Sequence, residues 1–304
     1  MGVGIDVSDE NIHGRFDKLA KIGIIKYGPS TVIPIVDRNF PLEFRIYPTS
    51  SQKPLTVNDS VASHSHLDDG EPEKLGPGSD IYRSHPDQIL GIINGTHILA
   101  LNIYPVFRPQ YLLLTCDSYR LQDEPLDLHD IKAVWEFLNV TTETYYAMYN
   151  CAEQSGCSRK HKHMQILPKP EAINPDAEAF RFFPDVRDRQ IQVPYVYFLH
   201  YFYPLRKGQP MDSEAVFATY SNLLRQYRTM LGIAEHATCA HNVLLTKEWI
   251  IVIPRRKGNY KGIMANATAM MGQPTVSSQE LFKIWTDEGP VKCLGEFGIS
   301  NTSL

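Results

Sequence analysis

No excess of positive charge marks this chain: 30 Lys and Arg stand against 34 Asp and Glu, and the formal net charge is −4. It therefore carries no electrostatic footprint for nucleic acid, although a local basic cluster could still hold a small anion. No run approaches the roughly 20 apolar residues that a bilayer span needs, so no membrane segment is expected. The opening MGVGIDVSDE has no basic region followed by an apolar one, which argues against a secretory signal. Gly2 is followed by Asp6 where a myristoylation context would have Ser or Thr. Paired cysteines are missing too. Cys116, Cys151, Cys157, Cys239 and Cys293 are odd in number and scattered, which predicts reduced thiols in a cytoplasmic or nuclear protein rather than a disulfide framework. Neither an internal repeat nor a heptad pattern occurs. What is present is an ordinary globular composition, 43% hydrophobic and 21% charged, with length enough for a sizeable core.

Periodicity divides the chain. A helix is expected over about Glu10 to Ile22, with Ile12, Phe16 and Leu19 on one face and Gly23 as its stop. Strand-like runs follow at IGIIKYG, STVIPIV and LEFRIYP. From Thr49 to Asp87 Ser, Pro, Gly, Asp and His dominate, which predicts a long polar loop. HILALNIY and QYLLLTC read as strands, Leu128 to Leu138 as a helix, and ETYYAMYN as a strand. A Pro- and charge-rich connection after Pro168 suggests two regions, 1–190 and 191–304. The second should open with a strand at PYVYFLHYFYP. A helix over Ser213 to Leu231 should follow, burying Phe217, Tyr220, Leu224, Tyr227 and Leu231. Next come a hairpin of NVLLT and WIIVIP around the turn KE, and a last helix capped by Ser277 and Glu280.

The chemistry concentrates in YNCAEQSGCSRKHKHMQILP, Tyr149 to Pro168. As a strand, HKHMQIL puts His161, His163 and Gln165 on one face about 7 Å apart, and Lys162, Met164 and Ile166 on the other. A neutral imidazole is a competent nucleophile near pH 7, and attack on phosphorus splits one difficult displacement into two easier ones. The Gln165 amide can hydrogen-bond a phosphate oxygen but is no practical proton donor. That favours transfer between good leaving groups, such as phosphates, over hydrolysis. Upstream, Asn150, Ser155, Gly156 and Ser158 complete the pattern N-x4-S-G-x-S-x2-H-x-H. Gly156 would let backbone N–H groups approach an anion, while the hydroxyls and the Asn amide add neutral donors. Reading Cys151, Cys157, His161 and His163 as zinc ligands fits less well, because C-x5-C-x3-H-x-H is not the usual knuckle spacing. The run Arg255, Arg256, Lys257 is expected to be a solvated loop.

These residues resemble the active-site region of the histidine-triad superfamily, in the branch whose last triad histidine is Gln. More closely they resemble the fungal diadenosine tetraphosphate phosphorylases, or ATP adenylyltransferases. LEFRIYPTSSQKP, HILALNIYPVFRPQYLLLT, the motif itself and HNVLLTKEWIIVIPRRKGNYKGI all look like segments of that family, in the right order. The resemblance implies an α+β, histidine-triad-like fold, with a mostly antiparallel sheet, packed helices and a smaller C-terminal half. It implies that His163 attacks the α-phosphorus of diadenosine tetraphosphate, expels ATP, and passes the adenylyl group to phosphate as ADP. His161 would orient the site and Gln165 would hold the transferred phosphate. Lys53 would contact phosphate oxygens, and Asn102 and Asn266 correspond to asparagines of the family pattern. Nucleotide substrates are the implied partners. No tightly bound cofactor or protein-held metal is expected; magnesium would accompany the polyphosphate. Three departures bear on nucleotide preference and strength of catalysis. Ile103 stands where the family usually has Lys, Gln110 or Tyr111 where His is common, and MANATAMMGQP surrounds Asn266. They keep alive a catalytically weak dinucleotide-binding protein, and a sugar-1-phosphate uridylyltransferase-like enzyme remains a further alternative.

Overall fold

Alternating side chains sort most of this chain onto the two faces of one sheet. The computed structural model describes residues 5–52, 84–142, 144–171, 179–186, 196–205 and 211–301. In chain order these hold α1 (Asp9–Lys21), β1 (Thr31–Asp37), β2 (Phe40–Ile46), β3 (Ile89–Ile93), β4 (His97–Leu101), β5 (Tyr111–Thr115), α2 (Leu128–Val140), β6 (Tyr145–Cys151) and β7 (His163–Pro168). There follow α3 (Phe183–Val186), β8 (Tyr201–Pro204), α4 (Ser213–Leu231), β9 (His241–Leu245), β10 (Trp249–Pro254), β11 (Asn259–Tyr260), β12 (Ile263–Met264), α5 (Ala267–Met270), β13 (Thr275–Val276), α6 (Gln279–Glu288) and α7 (Pro290–Phe297).

Eight strands form an antiparallel sheet in the order β3-β4-β5-β7-β6-β9-β10-β8. The pairing of β6 with β9, in register Asn150 to Asn242, carries it across both halves of the sequence. A smaller sheet, β1-β2-β13, lies apart, with β13 parallel to β2. Period-two alternation decides which face each residue serves. Tyr145, Ala147, Tyr149, Met164 and Ile166 join Phe16, Trp135 and Tyr220 of α1, α2 and α4 in one core. Tyr146, Met148 and Leu167 join Phe44, Met270, Trp285 and Phe297 in the other. Helix ends follow local chemistry. Asp127 and Asp130 form a reciprocal capping box on α2, Asp212 caps α4, and Gly232 ends α4 in a left-handed conformation.

Four details differ from expectation. Ile22–Gly28 is not a strand: Ile24 and Ile25 turn back to donate to the Leu19 carbonyl, closing the end of α1. Of the expected strand over 194–204, residues 194 and 195 lie outside the described residues; within 196–204 the ladder is confined to β8, while Phe198 bridges to Ser300. On α4 the buried face includes Val216 and Leu223, and Leu231 is exposed beside the terminal glycine. The cap of α6 is Ser278, whose hydroxyl accepts from Leu281 N–H, one residue later than Ser277. Most of the Thr49–Asp87 segment, including Lys53, lies outside the described residues.

Candidate active site

The HKH alternation becomes a division of labour between the two faces of β7. Lys162, 1% exposed, turns to the helical core, where its Nζ lies 2.7 Å from Asp130 Oδ2 and donates to the Pro125 carbonyl. Asp130 is also bonded to His97. Burial pushes its carboxyl up, but the His97 hydrogen bond and the Lys162 charge outweigh burial and hold it down at about 2. This buried charge pair anchors the strand and leaves the odd-numbered residues for the other face.

His163 is 6% exposed. Its Nδ1 lies 2.8 Å from the His161 carbonyl. A carbonyl only accepts, so Nδ1 carries the hydrogen, and the lone pair of the neutral ring resides on Nε2. His161 thus orients His163 through its backbone. The His161 ring itself bonds the hydroxyl and carbonyl of Thr115 at 3.0 and 2.9 Å.

Two residues along the strand, Gln165 lines a cavity of about 230 Å³ together with Asn102, Asn150, Gly156, Ser158 and Asn266. No charged side chain lines it among the described residues. The direction of every amide is set by a backbone donor, which removes the usual ambiguity between oxygen and nitrogen. Tyr104 N–H donates to Asn102 Oδ1 at 3.0 Å, Ala267 N–H to Asn150 Oδ1 at 2.9 Å, and Ala269 N–H to Asn266 Oδ1 at 3.1 Å. For Gln165 the chain has one more link: Val106 N–H donates to Gln110 Oε1, and Gln110 Nε2 donates to Gln165 Oε1, both at 2.7 Å. With each oxygen engaged, four NH2 groups remain as donors around one cavity. Such a set suits an anion.

Behind this cradle sits Arg255. It is 3% exposed, not solvated as its place in the run RRK suggested. Its five N–H groups meet five oxygens: the carbonyls of Phe297, Ser155, Lys257 and Ala265, and Asn242 Oδ1 at 2.5 Å. Burial lowers its pKa to about 9, so it stays charged at neutral pH. Asn242 Nδ2 donates in turn to Asn150 Oδ1 and to the Ser155 carbonyl. Arg255 therefore ties the turn holding Ser155 and Gly156 to the segment holding Ala265 and Asn266. Ser155 is fully buried and its hydroxyl closes its own turn by donating to Ala152 C=O at 2.6 Å; its link to the site is its carbonyl. Gly156 has φ +81°, and a Cβ there would collide with the Ala265 carbonyl oxygen.

A second cleft, of about 720 Å³, adjoins the first at Ser158 and Met264 and is lined by Arg159, Lys160, Arg256 and Lys257, with Asp123 and Glu153 on its wall. Among the described residues no group of three or more His, Cys, Asp or Glu side chains could hold a metal ion, and no helix is long and apolar enough to cross a membrane.

Residues 83–179 match the family model of the Ap4A phosphorylase N-terminal domain, and residues 192–300 that of the ATP adenylyltransferase C-terminal domain. The chain belongs to the Ap4A phosphorylase family. Diadenosine 5',5'''-P1,P4-tetraphosphate phosphorylase 2 of Saccharomyces cerevisiae is 28% identical over 249 residues, covering 72% of this chain and 76% of the relative. Protein APA1 of the same yeast is 26% identical over 282 residues, covering 84% and 88%. The fold is that of the crystal structure of yeast Ap4A phosphorylase Apa2. The complex of Apa2 with AMP superposes with a TM-score of 0.72 at 23% identity over 96% of each chain. Its complex with Ap4A gives 0.71 at 22% identity over 97% of this chain and 98% of that one.

Within this member of the Ap4A phosphorylase family the departure at Gln110 or Tyr111 resolves to one residue. Tyr111 is buried in the helical core against Phe137 and Tyr145, so Gln110 is the residue that faces the cradle. The roles of Gln110 and Arg255, and Asn242 altogether, escaped sequence reasoning. A polar residue inside an apolar run is the one signal they carried: Gln110 beside YLLLT, Asn242 within HNVLL, Arg255 directly after WIIVIP.

Proposed function

We propose that this chain cleaves diadenosine tetraphosphate by phosphorolysis, giving ADP and ATP, and runs the reverse adenylyl transfer, through a covalent adenylyl-His163. The observation that carries this reading is the pairing of a histidine whose lone pair is fixed on Nε2 with a neighbouring uncharged cavity lined by the amides of Asn102, Asn150, Gln165 and Asn266, each with its oxygen already engaged. Nε2 attacks the α-phosphorus, the bond from that phosphorus to the bridging oxygen breaks, and ATP leaves as an anion. A phosphate oxygen then attacks the same phosphorus, the P–N bond breaks, and ADP departs with the imidazole restored. ATP is a good leaving group without protonation, so an amide at Gln165 suffices where a hydrolase would profit from an acid. Asn102, Asn150, Gln165 and Asn266 would donate to the phosphoryl oxygens as charge develops, with Gly156 and Ser158 at the same wall. Magnesium would enter on the polyphosphate. Lys53 would add a positive charge from its own segment, and an odd, scattered set of five cysteines supports a reducing compartment, cytoplasmic or nuclear.

Product analysis of diadenosine tetraphosphate with and without phosphate tests the reaction. ADP plus ATP, formed only when phosphate is supplied, is the expected result. AMP plus ATP from water alone would make the chain a hydrolase. Binding without any product would favour the dinucleotide-binding alternative.

A further inference from the structure

The ladder between β6 and β7 runs from Tyr145–Pro168 to Met148–Gln165 and then stops. Continued by two steps, the same register would face Asn150 with His163, and their backbones could bond directly. Instead the side chain of Gln122 stands between them. His163 N–H donates to Gln122 Oε1 at 2.7 Å, while Gln122 Nε2 donates to the Asn150 and His163 carbonyls, each at 3.0 Å. Because the acceptor is met by a backbone N–H and the donor by two carbonyls, this amide has one orientation only.

Gln122 is itself held. It is 3% exposed, its N–H donates to Lys160 C=O at 2.8 Å, and its own carbonyl accepts from Ala152 N–H at 3.0 Å and from Tyr149 Oη at 3.1 Å. Its backbone is thus clamped to both ends of the turn that carries Gly156 and Ser158. On the other side of His163 the pairing with β5 is intact, Leu114 facing His163. Only the β6 side is opened.

We propose that Gln122 is a positioning residue for the transfer reaction, a side-chain amide that replaces one backbone ladder step and keeps the nucleophile His163 and the cradle donor Asn150 apart. Two adjacent strands would otherwise close to about 4.8 Å and pair. An amide bonded on both sides holds them wider, and it meets the His163 N–H and the carbonyls of His163 and Asn150 that the missing ladder step leaves open. The inference rests on the reaction proposed above for the role of His163, but the geometry it invokes is readable without turnover.

The test compares the wild-type chain with Gln122→Met, which keeps volume and loses the bonds, and Gln122→Glu, which turns an oxygen toward two carbonyl oxygens. Turnover of diadenosine tetraphosphate with phosphate is measured beside the ring 15N and 1H signals of His163, assigned with His163→Ala. A misplacement of about 1 Å can cost roughly 100-fold in rate, so kcat should fall by about tenfold or more while KM stays within about threefold. The His163 ring signals should shift while those of His241, on β9, stay in place. Normal kcat, or His163 signals that do not move, would overturn the proposal. If Gln122→Met does not fold, Gln122→Glu is read by the same two criteria. If the wild-type chain turns nothing over, the reaction proposed above fails, and the ring signals alone decide the role of Gln122.

Discussion

Replacing Arg255 by lysine keeps the charge and removes the planar fork. Arginine offers five N–H donors and lysine three, so at least two of the five oxygens around Arg255 lose a donor. A buried acceptor left unmet costs about 1–3 kcal/mol. The Ser155 carbonyl also accepts from Asn242 Nδ2 and the Phe297 carbonyl from Arg256 N–H, so the two cheapest losses leave each oxygen a partner, which argues for roughly 1–3 kcal/mol in all. That is a large fraction of the 5–15 kcal/mol by which a domain is typically stable. The neighbouring Arg256 is the internal control. Its guanidinium is exposed and pairs with Glu296 at 2.8 Å, an interaction worth about 0–1 kcal/mol at the surface. Urea unfolding of Arg255→Lys and Arg256→Lys at pH 7, followed by tryptophan fluorescence, measures both. If Arg255→Lys lies within about 0.5 kcal/mol of wild type, or matches Arg256→Lys, the five-acceptor description of Arg255 is wrong.

Gly156→Ala must both leave a positive φ and move the Ala265 carbonyl, so it should abolish turnover while circular dichroism still reports a folded sheet; wild-type activity would show that this turn does not shape the cradle. Gln110→Glu still accepts from Val106 N–H but sets an oxygen against Gln165 Oε1, which should turn Gln165 so that its oxygen faces the cavity. Losing one donor worth about 1.4 kcal/mol predicts roughly tenfold weaker AMP binding by calorimetry, and unchanged affinity would refute the relay. Burial holds the His241 imidazole down at about 4 against an ordinary 6.5. The unfolded chain therefore binds a proton between those values that the folded chain does not. The associated stability is complete above about pH 6.5 and is lost as pH falls toward 4, by roughly 3 kcal/mol at most. Urea midpoints at pH 7 and pH 4.5 should show this loss in the wild type and a smaller one in His241→Gln.

The helices and most strands were legible because their periods are clean. Asp9–Lys21, Ser213–Leu231 and the hairpin His241–Leu245 with Trp249–Pro254 each carry an apolar repeat and a stop signal that the tertiary structure leaves intact. Where expectation slipped, a tertiary contact overrode the pattern: the apolar run after α1 closes the helix end instead of entering a sheet, and 196–200 pack without a ladder. The motif residues Asn102, Asn150, Gly156, Ser158, Gln165 and Asn266, from distant parts of the chain, meet around one cavity. What the chain order could not disclose is who holds them. Gln110, Gln122, Asn242 and Arg255 act through side-chain hydrogen bonds, many of them to residues tens of positions away, and such bonds leave no periodicity. The solvated reading of Arg255 failed for the same reason, since a guanidinium satisfied by carbonyls rather than carboxylates has no acidic partner in the sequence to betray it.

The covalent intermediate is the most direct test. The chain is mixed with diadenosine tetraphosphate in the absence of phosphate, quenched under alkaline denaturing conditions that spare a P–N bond, and analysed by intact and peptide mass spectrometry. One AMP per chain on the peptide containing His163, absent from His163→Ala and discharged to ADP when phosphate is added, is the predicted result. No adduct, an adduct on another residue, or AMP released by water as fast as ADP forms with phosphate would contradict the account.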